Sequence, residues 1–186
     1  SFEDRYQLGA HHVHERWTAR TRGVLVASPS NPTGTSMTPA QLRDMLAAVR
    51  ARGGFAIVDE IYQGLSYDHV PVSALALDPD VITVNSFSKY FNMTGWRLGW
   101  LVVPDSLVPV FEKLAQNLFI CAPTIAQHAA LACFQPEALA IFEARRQEFQ
   151  RRRDYLVPAL RALGFGVPVM PDGAFYVYAD VTGLDH

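Results

Sequence analysis

Lysine is nearly absent from this chain of 186 residues: of its 16 basic side chains only Lys89 and Lys113 are amines. Chemistry that needs a primary amine therefore has two candidates. Cysteine is equally scarce, and Cys121 and Cys133 cannot make a disulfide framework. Both stand in apolar, helix-like sequence and are expected to be buried free thiols, which suits a reducing, cytoplasmic setting. Positive charge is not in excess. The formal net charge of -2 leaves no field to hold nucleic acid or an anionic membrane. No apolar run approaches the roughly 20 residues of a membrane span, and Ser1-Phe2-Glu3-Asp4-Arg5 contains no apolar signal core. An initiator Met is missing too, so the chain is expected to be processed or cut from something longer. What is plentiful is apolar: 49% hydrophobic residues against 18% charged supply a packed core and exclude global disorder.

Nothing repeats, and no stretch is of low complexity. Val24-Leu25-Val26-Ala27 predicts a short buried strand, ending in the turn-rich run Ser28-Pro29-Ser30-Asn31-Pro32-Thr33-Gly34. A helix follows, with Thr38 as N-cap, Pro39 in the first turn and Gln41 completing a capping box. Leu42, Met45, Leu46 and Val49 give its apolar stripe, and Gly53-Gly54 ends it. The runs 55–58 and 81–84 predict two more buried strands, leading into Asp59-Glu60 and into Asn85-Ser86-Phe87-Ser88-Lys89. Residues 98–103 predict a fourth. Continuous apolar runs separated by helix indicate parallel strands covered on both faces, an α/β fold. From Pro104 the pattern is helical to about residue 118, then over 125–134, then from 137 to about 163. Gly164-Phe165-Gly166 breaks it. The runs 167–169 and 174–178 predict strands of a different unit, which makes the end of the long helix a domain junction.

Three strands thus end in polar clusters, and open α/β sheets bind ligands just beyond the carboxyl ends of their strands. The clusters bring an amide, a carboxylate, a phenol, an amine, two serines and an arginine to one rim. An amine forms a Schiff base with an aldehyde. A carboxylate holds a pyridine nitrogen protonated. A phenol and an amide hydrogen-bond a ring hydroxyl, and serines with an arginine fork suit a phosphate. Pyridoxal phosphate has all four features.

Asn31-Pro32-Thr33-Gly34, Asp59-Glu60-Ile61-Tyr62, and Ser86-Phe87-Ser88-Lys89 with Gly95-Trp96-Arg97-Leu98-Gly99 together resemble the class I/II aminotransferases of pyridoxal-phosphate fold type I, the aspartate aminotransferase-like family. Arg97 follows Lys89 by eight residues, the family's spacing. Pro171-Asp172-Gly173-Ala174-Phe175-Tyr176 resembles that family's entry into its small domain, and the resemblance covers essentially the whole chain. It implies a three-layer, mostly parallel α/β sheet, with residues 1–155 forming the second half of the large cofactor-binding domain and 156–186 the incomplete start of the small one. It implies that Lys89 carries the cofactor as a Schiff base and later shuttles the proton. Asp59 pairs with the pyridinium nitrogen, and Tyr62 and Asn31 hydrogen-bond the ring oxygen. By the same resemblance Ser86 and Arg97 are expected to bind the phosphate, with Ser88 assisting. The Asn31-Pro32 bond is a candidate cis peptide. The resemblance further implies that the substrates are an L-amino acid and a 2-oxo acid and that the assembly is a homodimer. The phosphate-binding loop, the aromatic side chain stacked on the cofactor and the arginine that grips the substrate carboxylate have no counterpart here. An isolated chain with these boundaries is therefore expected to lack transaminase activity. The same motifs serve two rivals: a C–S lyase, decarboxylase or synthase of this fold, and a non-catalytic regulatory module.

Other features read as structural. His11-His12-Val13-His14 has no cysteine or acidic cluster beside it in sequence, and no metal site is expected. Arg145-Arg146 and Arg151-Arg152-Arg153 alternate with Glu143, Glu148 and Asp154, which predicts a solvated helix face. Trp96 and Trp100 are expected in the core. Ser86-x-x-Lys89 also matches a serine-nucleophile motif, but the Ser-Asp-Asn and Lys-Thr-Gly partners it requires are absent from the sequence.

Overall fold

A computed structural model describes residues 1–184. Helix α1 (Ala10–Arg16) precedes strand β1 (Gly23–Ala27), helix α2 (Pro39–Ala51) and strand β2 (Phe55–Asp59). Strands β3 (Ile82–Ser86) and β4 (Gly99–Val102) follow, then helices α3 (Val108–Leu118), α4 (Thr124–Leu131) and α5 (Pro136–Ala162). The capping box at α2 forms as its sequence requires: the Gln41 amide donates to Thr38 Oγ1 at 3.2 Å, and the Thr38 amide donates to Gln41 Oε1 at 2.9 Å. A cap of this kind stabilises a helix by about 1 kcal/mol. The α2 stripe packs on β1 and β2, with Met45, Val49 and Val58 almost wholly buried.

The sheet runs in the order β1-β2-β3-β4. The first three strands are parallel, in registers that pair Ala27 with Asp59 and Asp59 with Val84. Their carboxyl ends therefore lie along one edge. β4 is antiparallel, with Ser86 opposite Gly99. Only residues 87–98 join β3 to β4, and they hold a single short turn of 3-10 helix, Thr94–Trp96. This connection contains no α-helix of the kind that usually crosses between parallel strands. The reversal matters for the site: the chain leaves the rim at Ser86 and returns to it just before Gly99.

Several expectations are corrected. Among the described residues the face of β1 and β2 away from α2 is left open, while Ile82 of β3, on that same face, is buried. Leu25 and Phe55 point away from α2 and stay open, at 69% and 51% exposure, because strand side chains alternate between faces and only one face of β1 and β2 meets α2. Trp96 and Trp100 are also exposed, Trp100 touching Phe87 at a ring separation of 5.0 Å. Cys133 is buried, but Cys121 lies exposed between α3 and α4. The runs 167–169 and 174–178 form no strand. Ala174 turns the chain with φ 56°, and only the single bridges Ser66–Gly173 and Gly166–Asp180 are made there. The amides of Asp172, Gly173 and Ala174 are taken by the carbonyls of Gly34 and Leu65 instead of by a neighbouring strand.

The solvated-face reading of α5 also fails at two of its arginines. Arg153 is buried, donating to Asp68 and to the Pro171 carbonyl. Arg146 reaches the Ser66 carbonyl at 3.1 Å. Both occupy the helix's inward stripe with Phe142, Phe149 and Val157, a stripe of i, i+4, i+7 type. α5 runs unbroken from Pro136 to Ala162, through residues 155 and 156, with Pro158 inside it.

Candidate active site

The first wall of the site is the loop after β1. It folds on itself: the Ser30 amide donates to the Thr35 carbonyl at 3.0 Å, the Gly34 amide to the Ser30 carbonyl at 2.8 Å, and the Met37 amide to Ser28 Oγ at 2.9 Å. Both the Ser28-Pro29 and Asn31-Pro32 peptides are cis, the second as the sequence suggested. Asn31 is left exposed at the tip. Gly34 has φ +65°, and its carbonyl accepts the Asp172 and Gly173 amides at 2.8 and 2.9 Å. A Cβ at Gly34 would stand 2.6 Å from Pro171 Cβ and 2.9 Å from the Tyr176 carbonyl oxygen. Only glycine meets both demands.

The second wall is the end of β2, where neighbouring side chains point opposite ways. Asp59 is half-buried at the rim, one carboxylate oxygen accepting the Ile61 amide at 2.9 Å. Glu60 turns to the other side and is buried. It accepts from Ser73 Oγ at 3.0 Å and the Ala74 amide at 2.7 Å, holding the connection to β3. Tyr62 is buried, and its hydroxyl lies 2.8 Å from that of Tyr176. Burial pushes the Tyr62 phenol well above its ordinary value; the Tyr176 hydrogen bond and the Asp59 charge add to the rise, and the Asn31 amide works against it.

The third wall is the β3–β4 connection. Lys89 Nζ lies 5.7 Å from the centroids of both the Tyr62 and Phe175 rings, a cation–π arrangement. Ser86 Oγ accepts the Ser88 amide at 2.9 Å and donates to the Leu98 carbonyl at 3.2 Å, which ties the two ends of the connection. Arg97 immediately precedes that carbonyl. Its backbone is left-handed, with φ 52°, and its exposed guanidinium donates to the Thr94 carbonyl at 3.0 Å. Ser88 is buried in the turn.

Asn31, Asp59, Tyr62 and Lys89 thus gather about one place, with Ser86 and Arg97 together at the neighbouring strand ends. Phe175 and Tyr176 complete the group and were not anticipated as site residues. Phe175 packs edge-on against Tyr62 at 5.5 Å. Their motif was read as a domain entry and not as part of the site, because the contact of Tyr62 with Tyr176 joins positions 114 apart in sequence. Elsewhere, folding brings Asp4 to His11 and His12, with the ligand atoms of all three within 4.8 Å of one another. His12 Nδ1 already accepts the Gly9 amide at 3.0 Å, which turns its Nε2 toward Asp4 as a donor. No described helix is long and apolar enough to cross a membrane.

The family described as Aminotransferase class I and II matches residues 2–186. The chain is 44% identical over 163 residues to the valine–pyruvate aminotransferase of Mycobacterium tuberculosis (strain ATCC 25618 / H37Rv), a match spanning 87% of this chain and 42% of that protein. It is 32% identical over 186 residues to the aspartate aminotransferase of Musicola paradisiaca (strain Ech703), spanning 98% of this chain and 46% of that one. The aspartate aminotransferase of Thermus thermophilus with maleate superposes with a TM-score of 0.92 at 32% identity, over 98% of this chain and 48% of its own. The chain therefore spans less than half the length of these relatives.

Proposed function

Because the chain belongs to the aminotransferase class I and II family, we propose that its strand-end rim is the lysine side of an aminotransferase site. The protein exchanges an amino group between an L-amino acid and a 2-oxo acid, with pyridoxal phosphate held at Lys89. The observation that carries this reading is Lys89 Nζ beside the Tyr62 ring, with Asp59 and Asn31 at the adjoining strand ends. The donor set fits the cofactor: an amine for its aldehyde, a carboxylate for its ring nitrogen, a phenol and an amide for its ring oxygen, and a serine with an arginine for its phosphate.

When bound, pyridoxal phosphate supplies an aldehyde that passes between amines and a ring that withdraws electrons from the substrate Cα. Lys89 would hold the cofactor's aldehyde carbon, and its Nζ, once freed by the substrate amine, would carry a proton between the substrate Cα and that carbon. Asp59 keeps the ring nitrogen protonated through an ion pair, with its carboxylate steadied by the Ile61 amide. Tyr62 and Asn31 orient the ring oxygen, and Ser86 and Arg97 anchor the phosphate. In the larger arrangement, residues 1–155 belong to the cofactor-binding domain and 156–186 begin a second one. The active unit is a homodimer in the cytoplasm, a setting that two free thiols suit.

The test is borohydride reduction of the cofactor-loaded full-length protein that contains this chain, followed by peptide mapping, alongside an assay with an amino acid and a 2-oxo acid. Label on Lys89 and transfer of the amino group are expected. Label on Lys113 overturns the assignment of the amine. Release of pyruvate, ammonia or carbon dioxide without amino exchange overturns the reaction in favour of a lyase or decarboxylase, and cofactor retention without any turnover favours a regulatory module.

A further inference from the structure

We propose that Tyr176 is a positioning residue for the cofactor: its hydroxyl donates to Tyr62 Oη, which leaves the Tyr62 proton to point at the ring oxygen. This rests on the function proposed above and extends it to a residue outside the strand-end rim. Tyr62 is buried, and a buried hydroxyl needs a partner. Tyr176 supplies one at 2.8 Å, with the two rings edge-to-face at 5.7 Å. The approach is fixed from both sides. The Tyr176 backbone lies against Gly34, where its carbonyl oxygen occupies the space a Cβ would need. Two residues earlier, Ala174 is clamped: its amide donates to the Leu65 carbonyl at 3.0 Å and its carbonyl accepts the buried Tyr67 hydroxyl.

A hydroxyl that accepts one hydrogen bond becomes a stronger donor in the next, because bonds in a chain polarise one another. Tyr176 to Tyr62 to ring oxygen is such a chain, and it lowers the proton affinity of the lysine–cofactor linkage conjugated to that oxygen. Without Tyr176, Tyr62 still faces the ring oxygen but donates to it more weakly. The Tyr176 hydrogen bond that raises the Tyr62 phenol has Tyr62 as donor; a ring oxygen bearing negative charge is the better acceptor for that proton and turns the pair around.

The test is the pH titration of the bound cofactor's visible absorbance in wild type, Tyr176→Phe, Tyr62→Phe and the double variant. Tyr176→Phe keeps the ring and its packing. It is expected to raise the proton affinity of the linkage by roughly 3- to 10-fold, moving the midpoint up by about half to one pH unit. Tyr62→Phe is expected to move it further in the same direction, and the double variant to match Tyr62→Phe alone. Tyr178→Phe removes a hydroxyl from the same segment, where the ring packs on Tyr6 rather than on the site, and is expected to leave the midpoint in place. An unmoved midpoint in Tyr176→Phe, or additive shifts in the double variant, overturns the role of Tyr176 while leaving the proposed function standing. A wild-type protein with no lysine-linked cofactor band overturns both.

Discussion

Asp59, Ser86 and Lys89 occupy their places because strands end there, whereas Phe175 and Tyr176 reach the same spot from a segment that belongs to no strand. The two regions are held in different ways. The rim is fixed by sheet registers that align three carboxyl ends, with Ala27 opposite Asp59 and Ser86 opposite Gly99. The segment is fixed by single contacts from scattered places: the Gly34 carbonyl, the Leu65 carbonyl, the Tyr67 hydroxyl and the buried Arg153. Chemistry that tolerates no change of position belongs on the first kind of support. The second kind can be loosened at one residue, so rim and segment should respond differently to substitution.

The largest effect is expected on the rim. Asp59→Asn removes a charge from a carboxylate whose backbone and Ile61 contact can persist. Cofactor should remain bound, while removal of the substrate Cα proton slows by about 100- to 1,000-fold, the scale for losing a fixed charge aimed at a developing one. Single-turnover kinetics measure this. Near-normal rates would remove Asp59 from the ring nitrogen and leave the rim no more chemical than the segment.

The same contrast explains what could be read without coordinates. Asn31, Asp59, Tyr62, Ser86, Lys89 and Arg97 were visible because each stands at or just beyond an apolar strand, and strand ends are where such sheets place ligands. Helix α2 was visible because its cap and stripe are local. The direction of β4 was not in its apolar run, which reads the same either way; it goes with residues 87–98 forming no α-helix, only the turn Thr94–Trp96. Arg153 was hidden by the acidic residues around it, although its spacing from Phe142, Phe149 and Val157 already put it on the buried stripe. Tyr176 stood in a motif read as a domain entry, but nothing in it pointed to Tyr62, since that contact is set by how the chain returns after α5. Coverage of the second sheet face was read from continuous apolar runs separated by helix, and such runs report what a strand requires, not which residues supply it.

A middle-sized effect is expected where rim and segment touch. Gly34→Ala forces a Cβ to within 2.6 Å of Pro171 Cβ at a residue with φ +65°. Strain and overpacking of this kind cost roughly 1–3 kcal/mol. Urea unfolding should show the loss, and the absorbance titration should shift as for Tyr176→Phe, because the segment is pushed off the loop. Lys89 should still be labelled by borohydride. A variant as stable as wild type would mean that the segment is not seated on Gly34, and would collapse the distinction between the two supports.

The smallest effect is expected at the far end of the segment's anchorage. Asp68 is half-exposed and its carboxyl is held below the ordinary value of 3.8, first by hydrogen bonds from Arg153, with Gln150 assisting. A carboxyl depressed in the folded state adds stability above its unfolded pKa, and that contribution is lost as pH falls through the lower folded value. The ordering is consistent: acid protonates Asp68 in the unfolded chain first and in the folded chain only later, so folding becomes less favourable across that window. Solvent screening at Asp68 limits the contribution to at most about 1 kcal/mol, and Arg153 keeps Asp154 at 2.7 Å and the Pro171 carbonyl at 2.9 Å when Asp68 is removed. Asp68→Asn should therefore lower stability slightly at neutral pH, and the gap from wild type should close as pH falls below the ordinary carboxylate range. Paired unfolding curves at neutral and acid pH read both quantities. A gap that persists in acid would show that Asp68 supports the segment through shape, not charge, and a gap well above 1 kcal/mol would make this exposed pair as important to the segment as the buried glycine contact.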